Sequence, residues 1–250
     1  EMIAYHELNE RPGFKMAISE VGGNWYLYIG HFWHRGWSIL DITHPSRPEF
    51  LRFIPGSPNT WTLQVHVAEG KMISALEKIG DGMEGRMHIW GDDSSKPFQE
   101  GILIWDLKNS EEAKQIVVFE TEGLGTHRNF FTGGKFVYLA ANMKGYKGNI
   151  FVALDISEQT RRREVSRCWV EGGEKSDRLN QLHGLPYVVG EQAYLPLRPC
   201  RVFHIEHLQH HKPHQISRID IGDFGSIVGA HTYMPIPSLN LAIATTEAIF

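Results

Sequence analysis

Histidine is over-represented in this chain, and four of its 14 histidines fall at comparable places: His66, His127, His183 and His231. His127 and His183 each stand seven residues ahead of a glycine suited to turning the chain, Gly134 and Gly190. His231 precedes a turn at Asn240, and His66 stands four residues ahead of Gly70. A neutral imidazole offers one nitrogen lone pair. Several converging imidazoles make a nitrogen-rich site suited to a transition metal ion such as Fe, Cu or Mn, with Zn also accommodated, whereas Ca²⁺ takes carboxylate and carbonyl oxygens. Arg128, next to His127, carries a guanidinium fork that suits a substrate carboxylate or a developing oxyanion. Glu247 is placed to orient a ligand histidine through its free N–H, and Tyr233 is a candidate base. Each of these residues also has a purely structural reading: hydrogen bonds between strands for the histidines, a surface ion pair for Arg128.

Other chemistry finds less support. Ser/His/Asp catalysis lacks a G-x-S-x-G turn, and Gly123-Leu124-Gly125 is no phosphate loop. Cys168 and Cys200 are the only cysteines, so there is neither a disulfide framework nor a CxxC metal pair. A formal net charge of −4 argues against general nucleic-acid binding, which rests on phosphate neutralisation. No apolar run approaches the roughly 18–20 residues that span a bilayer. His31 and His34 are best read as packing the end of a strand pair. His207, His210, His211 and His214 read as a polar loop, and Arg161, Arg162 and Arg163 as a solvated face.

The elements that would position these side chains are short strands joined by glycine turns. Residues 14–19, the turn Gly22-Gly23, residues 25–29 and 37–42, and an outer strand at 49–54 make a first pass. Gly-Gly supplies the positive φ of a tight hairpin, and the flanking aromatic and β-branched residues suit a pleated, half-buried surface. A second pass from 62 to 122 turns at Glu69-Gly70 and carries a polar insertion at 79–101 with His88 and Trp90. A third spans 123–157 with its turn at Gly133-Gly134, and a fourth spans 179–221 with its turn at Gly190-Glu191. A fifth begins at 227. Each complete pass ends its third strand on an acidic residue, Asp41, Asp106, Asp155 or Glu206. Helical periodicity is scarce, with one turn at most near 110–114. Repeats of 40–50 residues with about four strands each are the signature of β-propeller blades, and a β-sandwich would not repeat its hairpins so regularly.

SILDITHPSRPEFLRFI resembles the LVIVD repeat, an apolar strand ending in Asp, a proline-punctuated turn and an outer strand; LIWDL and FVALDIS resemble degenerate copies. The likeness implies an all-β fold, a β-propeller of four-stranded antiparallel blades, six or seven when complete. This chain would cover about four and a half of them as a single domain over residues 1–250. The first strand of a propeller blade lines the central channel, so the resemblance implies that His66, His127, His183 and His231 face it. In the first blade the matching position is near Met16, which is no ligand. The constellation is similar to that of propeller enzymes holding iron, manganese or copper on channel histidines: carotenoid-cleaving oxygenases, oligogalacturonate lyases and selenium-binding-type methanethiol oxidases. None of their longer motifs is present.

Three functions are therefore expected to compete. One is a metal-dependent oxidoreductase or oxygenase acting on a small-molecule substrate, with no protein carboxylate among the ligands. Another is a metal-dependent lyase with a histidine or Tyr233 as base, and the third is a non-catalytic scaffold. Neither nucleic acid nor membrane is an expected partner.

Overall fold

The computed structural model describes residues 1–79, 93, 95–158, 163–169, 181–198, 200–209, 213–222 and 229–247; His88, Trp90, Arg161, Arg162, His210 and His211 lie outside the described residues. The chain gathers into two compact units, Glu1–Glu120 with Phe131–Gly134, and Thr121–Phe130 with Lys135–Phe250.

In the first unit β1 (Gly13–Val21), β2 (Asn24–His31), β3 (Gly36–Asp41) and β4 (Glu49–Pro55) form a four-stranded sheet in sequence order, all antiparallel. Gly22 and Gly23, at φ of 62° and 87°, close the β1–β2 hairpin so that Val21 faces Asn24. The next blade begins with two short strands, β5 (Thr60–Trp61) and β6 (Val65–Ala68), both paired to β7 (Lys71–Lys78). It continues through β8 (Gly101–Asp106) and β9 (Lys114–Phe119), with a single 3-10 turn at Ser110–Glu112 before β9.

Five consecutive buried residues in β3 and again in β8 show that the inner strands are covered on both faces. Tyr28, Trp37 and Ile39 pack with Met72, Leu76, Leu103 and Trp105 in one apolar cluster. The Trp37 and Trp105 rings meet edge to face at 5.0 Å, and the Trp105 indole N–H donates to Ser74 Oγ at 2.9 Å.

In the second unit β10 (Gly125–Phe130), β11 (Phe136–Asn142), β12 (Ile150–Asp155) and β13 (Arg163–Cys168) form one antiparallel blade. A further blade is made by β14 (Tyr187–Val189), β15 (Gln192–Leu197), β16 (Arg201–Glu206) and β17 (His214–Asp220). Phe151, Ala153 and Tyr138 pack with Leu195, Leu197, Phe203 and Ile205 between them. A hairpin follows, β18 (Gly229–Ile236) and β19 (Leu241–Glu247), turned at Asn240 in the left-handed region. Four-stranded antiparallel blades repeated in sequence order make this a β-propeller fold.

The acid that ends each third strand has a local job. Asp41, Asp106 and Asp155 each accept, through Oδ1, the backbone N–H two residues on, from Thr43, Lys108 and Ser157 at 2.8–2.9 Å. These Asx turns direct the chain from the third strand toward the fourth. Glu206, one carbon longer, lies instead 3.6 Å from His207 and 3.4 Å from His214.

One expectation about placement is corrected. His183 does not lie on a first strand: it precedes β14, which has only three residues, and the adjacent Leu182 makes a single bridge to Leu197. Pro186 lacks the N–H that a longer ladder would use.

The Trp37–Trp105 contact should dominate the stability of the first unit. Trp105→Ala is expected to cost about 3–5 kcal/mol in urea unfolding, the range for truncating a buried aromatic. Trp25→Ala, at a residue 46% exposed, should cost less than about 1 kcal/mol.

Candidate functional site

His127 and His231 occupy the same local structure in two different first strands. In β10, Thr126 pairs with Ala141 and Arg128 with Ala140, which leaves His127 as the extra residue of a β-bulge. In β18, Ala230 pairs with Thr246 and Thr232 with Thr245, which leaves His231 in that role. A glycine enters each bulge, Gly125 at φ 103° and Gly229 at φ 117°. Bulges re-aim a side chain out of the usual alternation and are frequent beside functional sites. The sequence signal is therefore Gly-Thr-His and Gly-Ala-His, a pattern that spacing to the turn glycine does not reveal.

His183 arrives by a different route. Its backbone N–H donates to the Pro196 carbonyl at 3.1 Å, and the neighbouring Gly184 lies against β18. A Cβ at Gly184 would stand 1.7 Å from the His231 carbonyl oxygen, so only glycine permits this approach. Glu247 closes the group from β19, where it pairs with Gly229 across the hairpin.

The result is a cluster within the second unit. The His127 and His183 rings stack at 5.4 Å with 20° between planes, and His183 meets His231 at 5.6 Å and 70°. His183 Nε2 donates to Glu247 Oε2 at 2.7 Å, and His231 Nε2 lies 3.9 Å from the same oxygen. One donor atom each from His183, His231 and Glu247 falls within 4.8 Å of the others. Arg128 Nη2 donates to His231 Nε2 at 2.9 Å. An arginine cannot accept a hydrogen bond, so that nitrogen of His231 carries the lone pair, and its Nδ1–H is directed at Thr232 Oγ1, 3.4 Å away.

The electrostatics follow from burial and neighbours. Burial, then the His127 ring, press the His183 pKa down to about 3, against the opposing pull of Glu247. His231 is also lowered, by burial first and the Arg128 charge second. Burial alone would raise Glu247, but the His183 N–H and the Arg128 charge outweigh it and keep the carboxyl ionised. Neutral imidazoles beside an ionised carboxylate are the protonation states that metal coordination or proton abstraction requires.

The other candidate residues are placed as follows. His66 lies on β6 in the first unit, where burial and the Lys15 charge hold its pKa down to about 4 against a hydrogen bond with the Phe131 backbone. Tyr233 does not join the histidines. The bulge at His231 reverses the strand alternation, so Tyr233 shares a face with Ala230 and packs with Val202 and the Tyr194 ring. Burial there raises its pKa, which disfavours the phenolate a general base would need. Glu247, expected only to orient a histidine, also brings a carboxylate oxygen within 4.8 Å of a donor atom of His183 and of His231. His31 is structural, with Nε2 on Ser38 Oγ at 2.8 Å and Nδ1 on the Pro12 carbonyl at 3.0 Å. Arg198, which no spacing singled out, follows β15, and its charge acts on both His183 and Glu247.

No family model and no curated protein matches the sequence. Among solved structures, the chain is similar to the periplasmic gluconolactonase PpgL of Pseudomonas aeruginosa, at 11% identity and a TM-score of 0.57, over 85% of this chain and 55% of that one. It is also similar to Sqt1 of Saccharomyces cerevisiae, at 10% identity and a TM-score of 0.56, over 92% of this chain and 54% of that one. At this identity the likeness shows the propeller fold alone, and the chain spans about half the length of these structures.

Two expectations follow from the site. Gly184→Ala drives a methyl group into a backbone carbonyl and should lower the melting temperature far more than Gly190→Ala, whose added Cβ meets nothing within 4 Å and carries only the strain of φ 61°. Stability should also fall as pH drops below about 6.5, because unfolded imidazoles take up protons that folded His66, His183 and His231 resist. Thermal melts at pH 7 and pH 5 test this, and His66→Gln or His183→Gln should flatten the dependence.

Proposed function

We propose that the chain is a metal-dependent enzyme of LVIVD-type propeller architecture, with a transition metal held by His183, His231 and Glu247. The observation that carries this reading is the convergence of three donors from separate segments, two of them neutral imidazoles and one an ionised carboxylate. For metal–donor bonds of about 2.1 Å, neighbouring donors stand about 3.0–3.4 Å apart in octahedral or tetrahedral shells. The separations of 2.7 and 3.9 Å from Glu247 Oε2 bracket that range, so small side-chain rotations would accommodate an ion. Two histidines and one carboxylate are the donor set of non-haem iron oxygenases and also of zinc hydrolases.

A metal held there would supply redox or Lewis-acid chemistry on a small organic substrate. The protein's own residues supply the rest. His127 stacks on His183 and fixes its ring plane, and Arg128 presents a donor fork at the edge of the cluster. Oxidoreductase chemistry is the preferred class, with lyase chemistry as the alternative.

One observation favours a second reading. The Arg128 guanidinium now occupies the His231 lone pair that a metal would take. Without a metal, Glu247 and His183 form an acid–base pair, and the charge of Arg128 stands beside it as a candidate to stabilise a developing oxyanion. This arrangement supports proton abstraction beside a carboxylate.

Elemental analysis of untagged protein separates the two readings. A metal centre predicts about one transition metal per chain, with affinity lowered at least about tenfold in His183→Ala and Glu247→Gln and unchanged in Tyr233→Phe. Absence of stoichiometric metal, with folding intact, favours the acid–base pair.

A further inference from the structure

We propose that the outer edge of β19 is a docking strand that takes an extended apolar peptide segment by strand addition. The proposal stands apart from the chemistry of the histidine cluster and rests on the repeat of the blades. In each of the four blades described, the second strand pairs with the third over six consecutive residues: 26–31 with β3, 71–76 with β8, 136–141 with β12 and 192–197 with β16. The bulges identify the equivalent stretch of β19. The bulge in β10 lies opposite Ala140 and Ala141, the last two of those six, and the bulge in β18 lies opposite Thr245 and Thr246. The equivalent residues are therefore 241–246. Among the described residues they pair with β18 alone, in a sheet of two strands.

Burial and sequence both mark this edge as one built to be covered. Tyr28 in β2 and Ile73 in β7 hold the place of Ile243 and are 0% exposed, whereas Ile243 is 45% and Leu241 63% exposed. A sheet edge that faces solvent is ordinarily guarded by charge or proline, which deters pairing with another chain. The outer strands of the four blades follow that rule, with Arg52 and Pro55 in β4, Lys114 in β9, Arg163 in β13 and Arg218 in β17. Residues 241–246 read Leu-Ala-Ile-Ala-Thr-Thr, with no charge, proline or glycine. A lone pair of strands is marginal in water, and its open edge offers a row of N–H and C=O groups for pairing. The occupant is defined by what covers the same edge in the other blades. β3, β8 and β12 are extended, antiparallel and uncharged up to a closing aspartate. Main-chain hydrogen bonds supply the attachment in strand addition, and alternate side chains the selection. A second copy of β19 fits less well, because it brings only Leu241 and Ile243 as large apolar side chains and so buries less apolar surface than a segment such as Trp-Ser-Ile-Leu-Asp.

Hydrogen–deuterium exchange of the whole chain tests this, with and without a millimolar concentration of the capped peptide Gly-Trp-Ser-Ile-Leu-Asp, which has the sequence of β3. The peptide should slow exchange in residues 241–246 at least about tenfold. A version with proline in place of its serine, which cannot complete the ladder, should leave exchange unchanged. Ile243→Lys, a charge placed on the edge strand at an exposed position, should abolish the protection while the protein stays folded. If that variant fails to fold, the contrast between the two peptides on the wild-type protein still decides the matter. Unchanged exchange with the first peptide, or equal protection by both, overturns the proposal. Slow exchange without peptide that strengthens with protein concentration, together with a dimer in sedimentation velocity, assigns the edge to a second copy and overturns the choice of occupant.

Discussion

The close approach of Gly184 to the carbonyl of His231 is the constraint on which the site depends. No side chain fits between them, so the segment bearing His183 is pressed directly onto the hairpin that carries His231 and Glu247. That packing buries His183 and partly buries His231, and burial is the first cause that lowers both pKa values. The same contact brings an ionised carboxylate within hydrogen-bond reach of His183.

The blades and the site divide the work. Inner strands such as β3, β8 and β12 are buried on both faces and hold the sheets together through aromatic and branched side chains. Their ends are fixed by Asx turns, which leave little freedom in the outer loops. The candidate histidines lie elsewhere, His127 and His231 at glycine-entered bulges on first strands and His183 in the segment before β14. A side chain mounted on a bulge within a rigid sheet is aimed without the sheet having to distort.

Much of the fold was legible in the sequence because glycine turns state their own geometry. Gly22-Gly23 requires positive φ, and the strands on either side, expected at 14–19 and 25–29, fall within two residues of those limits. Three of the four histidines singled out by spacing do come together, and Glu247 was recognised as a partner for one of them. The remainder could not be read, for identifiable reasons. A bulge adds one residue without changing polarity, so neither the aim of His231 nor the turning-away of Tyr233 shows in an alternation pattern. His183 leaves the strand because a proline three residues on cannot donate to a ladder. Arg198 reaches the site through its packing on Gly229, a contact between residues 31 positions apart with no local trace.

The most direct test of a metal centre on His183, His231 and Glu247 is X-ray absorption at the edge of whichever metal co-purifies. A donor shell with about two imidazole rings and light-atom bonds near 2.1 Å, losing imidazole scattering in His183→Ala and in His231→Ala, is the expected result. A shell of oxygen donors only, or a spectrum identical in both variants, would contradict it.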